Sequence, residues 1–392
     1  MVLGGWKHCL SRDHILPLFS SSYSIVSLMH TPRIAVIYLS FHCDPYLPDL
    51  IPSLEKVTYP KDRWALVIPD NPHPTHGLSM SILEKEVLAR SEKSLPRVIL
   101  LPQEKNLGFS RGNNAGIRWA LEHGYDYVYL LNNDALPEPG FLEPLVDAIE
   151  KDKSIGCAQS LITLYPRTDL LNTNGNAYHF LGFGYSNGYL TSRDQRMDPL
   201  FPINYASGAG ALLRSDLLEN HGLWDEDFWM YHEDLEYSLR LKMHGYSVVC
   251  VRDSVIGHKY EFSRSITKFQ FMERNRYATL LMFYKLPTLL LLLPALLGVE
   301  LAMLFFAWKG GWFEQKMLAY QAWLHKDFWS IWLAKRKSIQ ATRKISDRTL
   351  LKESTVGEIL FQEASASSPI VRYVANPVLN LYRRVLIFLV RW

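Results

Sequence analysis

Residues 127–134 read Tyr127-Val128-Tyr129-Leu130-Leu131-Asn132-Asn133-Asp134, an apolar run that ends in three polar residues. Short apolar runs bounded by Asn and Asp are typical of buried parallel strands. Such a strand would place the Asp134 carboxylate at the carboxyl edge of a sheet, where open α/β folds bind ligands. The stretch therefore predicts an α/β fold with a binding site at this edge. A simple turn before Pro137 is the alternative, because Asn and Asp also favour turns.

A segment rich in glycine and asparagine lies upstream. Residues 104–117 follow the apolar run at 98–101 and precede a helical pattern through Ile117 and Leu121. Glycine lets the backbone approach a ligand closely, and the start of a helix presents N–H groups to anionic oxygens. The segment therefore predicts a loop that binds phosphate.

Acidic and aromatic residues alternate at 224–236. The six carboxylates of this segment lie among Trp, Phe and Tyr instead of pairing with lysine, which indicates a partly desolvated cleft. His258 follows a predicted strand at 246–251. A lone histidine is more often structural than functional, so His258 alone indicates no role.

In their order along the chain, these segments resemble the motifs of family 2 glycosyltransferases, in the branch of rhamnosyl- and galactofuranosyl-transferases of bacterial cell-surface polysaccharides. The resemblance covers roughly residues 33–285. Residues 106–116 match the family's Asn-Leu-Gly-Phe-x-x-Gly-x-Asn-x-Gly element nearly in full. The Asn-Asn-Asp at 132–134 stands at the family's Asp-x-Asp, of which only the last Asp remains.

The resemblance implies a GT-A fold, which is a three-layer α/β domain with a mostly parallel central sheet that binds a nucleotide sugar. It implies an inverting transfer of the sugar to a hydroxyl of a lipid-linked or cell-surface polysaccharide acceptor. Two alternatives are a sugar nucleotidyltransferase and a catalytically inactive relative that binds or assembles polysaccharide. The absence of a glycine-rich loop at 40–45 argues against the first, and the retained Asp134, Asp234 and His258 argue against the second.

The resemblance also implies roles for individual residues. Asp234 is the expected general base, because the attacking hydroxyl must lose its proton. Asp134 and His258 are the expected ligands of a divalent cation, Mg²⁺ or Mn²⁺, that stabilises the diphosphate leaving group. The expected donor-binding residues are Asp70, Asn106, Gly108, Arg111, Gly112, Asn113, Asn132, Asn133 and Gly208. The expected acceptor-binding residues are Trp224, Trp229, Tyr231, Glu233 and Glu236.

Residues 286–308 carry a membrane signal. As a helix they would extend roughly 34 Å at ~1.5 Å per residue, enough to cross a hydrocarbon core. Pro287, Pro294 and Glu300 argue against a simple crossing. Basic residues such as Arg276 and Lys316 flank the segment on both sides, and both flanks favour the cytoplasm. We therefore expect a kinked or interfacial segment that contacts the membrane surface.

Four regions follow from these patterns. Residues 1–30 are expected to be a disordered leader or to precede the true start, and residues 31–285 to form the GT-A domain. Residues 286–308 are the membrane-associated segment, and residues 309–392 are a basic helical tail that ends in an amphipathic helix. Because nucleotide sugars are cytoplasmic, the expected location is the cytoplasmic face of the plasma membrane.

Composition limits the remaining possibilities. A formal charge of +3 over 392 residues is too small to indicate nucleic acid binding, and 48% hydrophobic residues support a substantial core. The four cysteines are isolated, with no Cys-x-x-Cys pair, which indicates reduced thiols and not disulfides or a zinc site.

Overall fold

The computed structural model describes residues 31–260, 269–360 and 369–392, so the expected leader at 1–30 lies outside the described residues. The strands are β1 (Ile34–Tyr38), β2 (Trp64–Asp70), β3 (Arg97–Pro102), β4 (Tyr127–Leu131), β5 (Ala135–Pro137), β6 (Ile155–Leu164), β7 (Leu171–Thr173), β8 (Asn176–Tyr178), β9 (Gly184–Ser186), β10 (Leu200–Pro202), β11 (Gly210–Arg214) and β12 (Ser247–His258).

The α-helices are α1 (Leu47–Glu55), α2 (Met80–Ile82), α3 (Gly108–Glu122), α4 (Glu143–Lys151), α5 (Ser215–His221), α6 (Glu233–Met243), α7 (Phe269–Phe283), α8 (Leu286–Lys309), α9 (Phe313–Leu324), α10 (Lys326–Thr342), α11 (Asp347–Glu353) and α12 (Asn376–Leu389). Short 3₁₀ turns occur at Lys61–Arg63, Leu88–Arg90 and Glu226–Phe228, and single π turns at Leu83–Val87 and Val371–Ala375.

A ten-stranded sheet forms the centre of the molecule. Its first half is parallel and runs β3-β2-β1-β4. From β4 the sheet continues through the antiparallel strand β11 to β6, β12 and β10. The sheet is therefore mixed, and its parallel half ends at the polar residues that the sequence singled out.

Alternation of side chains along the strands produces three layers. In β1, Ile34 and Val36 face one core, whereas Ala35 and Ile37 face the other. Helices α1 and α4 cover the first face, and α3, α5 and α6 cover the second. Because both faces are covered, the central strands read as continuous apolar runs. This arrangement confirms the fold that the resemblance implied.

Helices α7 to α12 form a helical layer with a core of its own. Helix α7 packs on α9 and α10, and α8 packs on α9 and α12. The core of this layer contains Trp332 of α10 together with Phe228 and Leu235, which belong to the acidic and aromatic segment. The helical layer therefore packs directly behind that segment.

Within the described ranges, α8 is the one helix long and apolar enough to cross a membrane. Only 6% of its most apolar window is buried. An exposed stripe along α8 comprises Leu286, Leu290, Leu293, Leu297 and Leu301, and a second along α12 comprises Val378, Leu381, Val385 and Phe388. These stripes are large apolar surfaces of the kind that contact membranes or partners.

Glu300, in the middle of α8, is tied to the helical layer. Its carboxylate lies 2.8 Å from Arg276 Nη2 and also pairs with Lys316 Nζ. Both cations contact Glu273 as well, and both are almost completely buried. Arg276 and Lys316 are therefore not part of an exposed basic flank, contrary to the interpretation from sequence, because they neutralise buried carboxylates. The cluster fixes α8 against α7 and α9.

Candidate active site

A cavity of about 2220 Å³ opens at the carboxyl ends of the parallel strands. The predicted site residues that line it are Asn106, Gly108, Asn132, Asn133, Asp134, Gly208, Trp229, Tyr231, Glu233, Asp234 and His258. Residues from distant parts of the sequence therefore meet at one edge of the sheet, the edge that the stretch at 127–134 indicated.

Asp134 and His258 form a close pair at this edge. The chain turns directly after β4, and His258 is the last residue of β12, which places His258 Nε2 2.9 Å from Asp134 Oδ1. Asn132 Nδ2 donates to the same carboxylate oxygen at 2.7 Å. An imidazole nitrogen and a carboxylate oxygen that converge in this way are suitable ligands for a divalent cation.

Asn172 holds the other side of the His258 ring. His258 Nδ1 lies 3.0 Å from the buried Asn172 Oδ1, so a proton on Nδ1 can be donated to that amide and Nε2 is left to face Asp134. Sequence reasoning missed Asn172. It lies in β7, a short antiparallel strand beside β6, and nothing in its local sequence marks this contact.

Asp134 and His258 are suited to a divalent cation that has only a few ligands from the protein. In the described part of the chain no group of three or more His, Cys, Asp or Glu could hold a metal ion by itself. A cation at Asp134 and His258 would therefore need further oxygen ligands, which a diphosphate and water can provide.

The glycine-rich segment forms the start of α3, but its N–H groups are used differently from the prediction. Phe109 N and Ser110 N both donate to the carbonyl oxygen of Trp229, at 2.8 and 3.2 Å. Gly108 has a φ of +73°, and a Cβ there would lie 2.6 Å from the Trp229 ring. In this structure these two N–H groups therefore hold the loop that carries Trp229, and phosphate binding by the segment stays a prediction.

Gly112 and Asn71 hold the glycine-rich segment against the sheet. A Cβ on Gly112 would lie 2.7 Å from the Leu39 side chain and 2.9 Å from Asn71 Nδ2, so glycine permits α3 to pack closely on β1 and β2. Asn71 donates to Gly108 O at 3.1 Å and accepts from Leu107 N at 3.2 Å. Asn71 also lines the cavity and was not assigned a role from sequence.

Glu233 and Asp234 begin α6 and face the cavity. Asp234 Oδ2 accepts from Gly208 N at 3.2 Å, and Oδ1 accepts from Leu235 N at 2.7 Å. Burial raises the pKa of Asp234 to about 6. Burial, with a smaller contribution from the charge of Asp234, also raises the pKa of Glu233 well above its usual range. Paired carboxyls with raised pKa values are typical of catalytic sites.

The loop before these carboxyls has an unusual backbone. Trp229, Tyr231 and His232 have φ values of +65°, +65° and +70°, in the left-handed region that costs energy for residues other than glycine. Asn275 of α7 holds the loop, since its Nδ2 lies within 3.0 Å of the carbonyl oxygens of Phe228, Met230 and Tyr231. Asn275 was also missed from sequence, because it lies in a different layer.

Six predicted residues do not line the cavity: Asp70, Arg111, Gly112, Asn113, Trp224 and Glu236. Asp70 lies behind it and accepts from Ser40 Oγ and Ser79 N at 2.6 and 2.8 Å. Arg111 points away and pairs with Glu226 at 2.7 Å. Asn113 donates to Phe109 O within α3. These residues therefore lie behind the lining of the cavity.

Trp224 and Glu236 were expected to contact the acceptor, and the structure places both behind the cavity wall. The buried Trp224 ring packs against Gly208, where a Cβ would lie 2.6 Å from the ring. Both carboxylate oxygens of Glu236 accept from Arg240, at 2.9 and 2.8 Å. The interleaved acids and aromatics therefore divide into a group that faces the cavity and a group that supports it.

Comparison with known proteins identifies the relatives of this site. The sequence profile described as Glycosyltransferase like family 2 matches residues 32–279. The chain is 26% identical over 246 residues to an N-acetylglucosaminyl-diphospho-decaprenol L-rhamnosyltransferase of Mycobacterium tuberculosis. That match covers 58% of this chain and 76% of the relative.

Solved structures provide a second comparison. A crystal structure of GalNAc-T7 with UDP, GalNAc and Mn²⁺ has a TM-score of 0.50 at 15% identity, and the likeness covers 66% of this chain and 49% of that one. This chain thus spans about half the length of that protein. The mannosyltransferase PcManGT from Pyrobaculum calidifontis, in complex with GDP-Man and Mn²⁺, has a TM-score of 0.48 at 18% identity. That match covers 80% of this chain and 86% of the PcManGT chain. Because the family profile matches more than half of its residues, the chain belongs to glycosyltransferase family 2.

Proposed function

We propose that this glycosyltransferase transfers a sugar from a nucleotide-sugar donor to a hydroxyl of a lipid-linked acceptor, with inversion at the anomeric carbon. The observation that carries the proposal is the composition of one cavity: a buried carboxyl with a raised pKa, Asp234, lies in the same space as the Asp134 and His258 pair. These are the two groups that a direct displacement requires, a base for the acceptor and a site for the leaving group.

Asp234 is the proposed general base. Its pKa of about 6 leaves the carboxylate ionised at neutral pH and close enough to the working pH to accept a proton. The backbone N–H groups of Gly208 and Leu235 hold both oxygens in place, so the carboxylate is oriented before the acceptor binds. A base that takes the proton of the attacking hydroxyl needs no covalent intermediate on the enzyme.

Asp134 and His258 are the proposed ligands of a divalent cation, with Asn172 holding the His258 ring. When bound, such a cation supplies Lewis-acid stabilisation of the diphosphate leaving group. The nucleoside would then lie towards Asn71, His73 and Asn106, which line the cavity beside the ends of β1 and β2.

The acceptor is proposed from the relative and from the surface of the helical layer. The mycobacterial relative is named for an acceptor that consists of N-acetylglucosamine on a lipid diphosphate, and for an L-rhamnosyl donor. The exposed apolar stripes of α8 and α12 are suited to a membrane surface where such a lipid resides. We therefore place the enzyme at the cytoplasmic face of the plasma membrane, where nucleotide sugars are available.

A direct assay tests this function. Purified enzyme in detergent would be incubated with N-acetylglucosaminyl-diphospho-polyprenol, Mn²⁺ or Mg²⁺, and a panel of nucleotide sugars that includes a nucleoside-diphospho-L-rhamnose. The expected product carries one added sugar with inverted anomeric configuration, identified by mass and by NMR. A product with retained configuration, or no product with any donor of the panel, would contradict the proposal.

A further inference from the structure

The catalytic cavity continues beyond the space that a donor needs. Its volume is about 2220 Å³, whereas sites for drug-sized ligands are typically about 300–1,000 Å³. The far part of the cavity is lined by α8 and α12 and not by strand ends. We call this part the apolar groove, and its defining residues are Ala295, Gly298, Ala302 and Phe306 of α8 and Val378 and Leu379 of α12.

Small residues of α8 keep the apolar groove open. Ala295, Gly298 and Ala302 recur at helical spacing and therefore lie along one side of α8. Gly298 is exposed and lines the cavity, and a Cβ there would meet no atom within 4 Å. The ion pair between Glu300 and Arg276 fixes the position of α8, and the groove lies between α8 and α12.

The outer end of the apolar groove lies at the apolar surface of the molecule. Phe305 and Val378 line the cavity and are also 54% and 60% exposed. Val378 belongs to the exposed stripe of α12, and Phe305 continues the exposed stripe of α8. The groove thus connects the apolar surface with the catalytic carboxyls.

The inner end is polar. Glu233 is 4% exposed and lines the cavity, and within the described part of the chain its Oε2 has no hydrogen-bond partner. A buried carboxyl oxygen that faces an open cavity is expected to have a polar ligand as its partner. A molecule that fills the whole cavity must therefore be polar at one end and apolar at the other.

We propose that the apolar groove binds the hydrocarbon tail of the lipid-linked acceptor, nearest to its head group, while the remainder of the tail stays in the membrane. This inference rests on the proposed function, because it assumes a lipid-linked acceptor. Beyond the proposed function, the inference states that the enzyme binds the hydrocarbon tail itself and does not only encounter the acceptor at the membrane surface. Acceptors with very short tails should therefore be poor substrates for the wild type.

The test fills the groove at Gly298. Gly298→Phe adds a ring where the structure has open space and removes a helix-weakening glycine, so the variant should fold. Ser338→Phe is the matched control, since it adds the same ring at an exposed site of α10 outside the groove. Both variants and the wild type would be assayed in detergent with acceptors that share N-acetylglucosaminyl diphosphate and carry a tail of a single methyl group or of about ten isoprenoid units.

We expect the wild type to prefer the long-tailed acceptor at least tenfold in kcat/KM. Gly298→Phe should lose this preference and keep its rate with the short-tailed acceptor, whereas Ser338→Phe should behave as the wild type. Equal preference in the wild type and in Gly298→Phe would overturn the inference. If neither the wild type nor the variants glycosylate either acceptor, the proposed function fails. Photo-crosslinking then still tests the groove, with a polyprenyl diphosphate that carries a diazirine in its first isoprenoid unit as the probe. Labelling of α8 and α12 that Gly298→Phe reduces would support it, and labelling elsewhere would overturn it.

Discussion

His258 Nε2 lies 2.9 Å from Asp134 Oδ1, although the two residues are 124 positions apart in the chain. The contact joins the end of β12 to the turn after β4, at the edge of the sheet where the cavity opens. It leads to the prediction that Asp134→Ala abolishes metal-dependent nucleotide binding, because a single remaining histidine is a weak site for Mn²⁺ or Mg²⁺. Titration calorimetry with a nucleoside diphosphate, with and without Mn²⁺, would measure the loss.

Asn133→Ala is the control for this prediction. Asn133 Nδ2 makes one long contact of 3.3 Å with Phe41 O, whereas its backbone carbonyl, which accepts from Tyr38, is retained in the variant. Its effect on metal-dependent binding should therefore be mild. Full turnover of the wild type in excess chelator would show that Asp134 and His258 have another role.

Asp234→Asn should lower kcat by roughly 10²-fold to 10⁴-fold with donor binding retained, because an amide keeps the shape of the side chain but cannot accept a proton. In the wild type, kcat should fall as the pH drops below about 6, where the Asp234 carboxyl becomes protonated. A pH profile of single-turnover rates would measure both effects. Normal turnover of Asp234→Asn, combined with inactivity of Glu233→Gln, would assign the base to Glu233.

Glu233→Gln should stabilise the folded protein at neutral and alkaline pH. Burial raises the pKa of Glu233 in the folded state, so its contribution to stability is complete below the unfolded pKa and is lost as the pH rises through the folded pKa. Glutamine does not ionise, so the variant avoids this loss. We therefore expect a higher free energy of unfolding for the variant than for the wild type near pH 8.

The gain from Glu233→Gln should become small near pH 4, where the wild-type carboxyl is protonated in the folded state and mostly protonated in the unfolded state. Urea unfolding at the two pH values would show the difference. A gain that is equal at pH 4 and pH 8 would mean that packing, and not charge, is responsible.

The sequence predicted the parts of the site that arise from local chemistry. The strand that ends at Leu131, just before Asp134, and the pair of acids at Glu233 and Asp234 lie where their local patterns indicated. Asn172 and Asn275 could not be found in this way, because each acts through a contact with residues 86 and 44 to 47 positions away. Isolated asparagines carry no periodic or motif signal, so only the tertiary structure shows what they hold.

The misassigned residues have a common physical cause. Glu236 and Trp224 belong to the same acidic and aromatic segment as Asp234, but one turn of helix places Glu236 against Arg240, and the Trp224 ring lies beneath Gly208. A sequence pattern indicates that a segment borders a cleft. It does not indicate which side chains of that segment point into the cleft.

Asn275→Ala should lower kcat by about 10-fold to 100-fold without a comparable loss of donor affinity. The amide of Asn275 holds three carbonyl groups of the loop before Glu233, and that loop has strained φ values at Trp229, Tyr231 and His232. Without this support the loop should relax and displace the carboxyls, and small displacements of a catalytic group are costly. Steady-state kinetics would separate kcat from the donor KM.

Thr279→Val is the matched control for Asn275→Ala. The Thr279 hydroxyl is buried one turn further along α7 and donates only to the Asn275 carbonyl at 3.0 Å. It should reduce stability slightly and leave kcat unchanged. If both variants lowered kcat equally, the effect would come from α7 as a whole and not from the clamp on the loop.

The exposed stripe of α8 leads to the last prediction. Removing the chain after residue 285 is not a clean test of membrane attachment, because Trp332 of α10 covers Phe228 beside the site, with ring centroids 5.1 Å apart. The double variant Leu297→Gln and Leu301→Gln is cleaner, since these side chains are 64% and 71% exposed and should contribute little to folding. At about 1.5–3 kcal/mol for each fully buried leucine, the loss of both should weaken binding to anionic lipid vesicles by roughly 10²-fold to 10⁴-fold.

Leu200→Gln makes the same chemical change on the catalytic domain, at an exposed residue of β10, and should not alter vesicle binding. Raising the salt concentration should weaken binding of the wild type only in part, because Arg276 and Lys316 neutralise buried carboxylates and are not available to lipid head groups. Flotation of the three proteins with vesicles at low and high salt would measure these differences. Unchanged flotation of the double variant would show that α8 does not contact the membrane through this stripe.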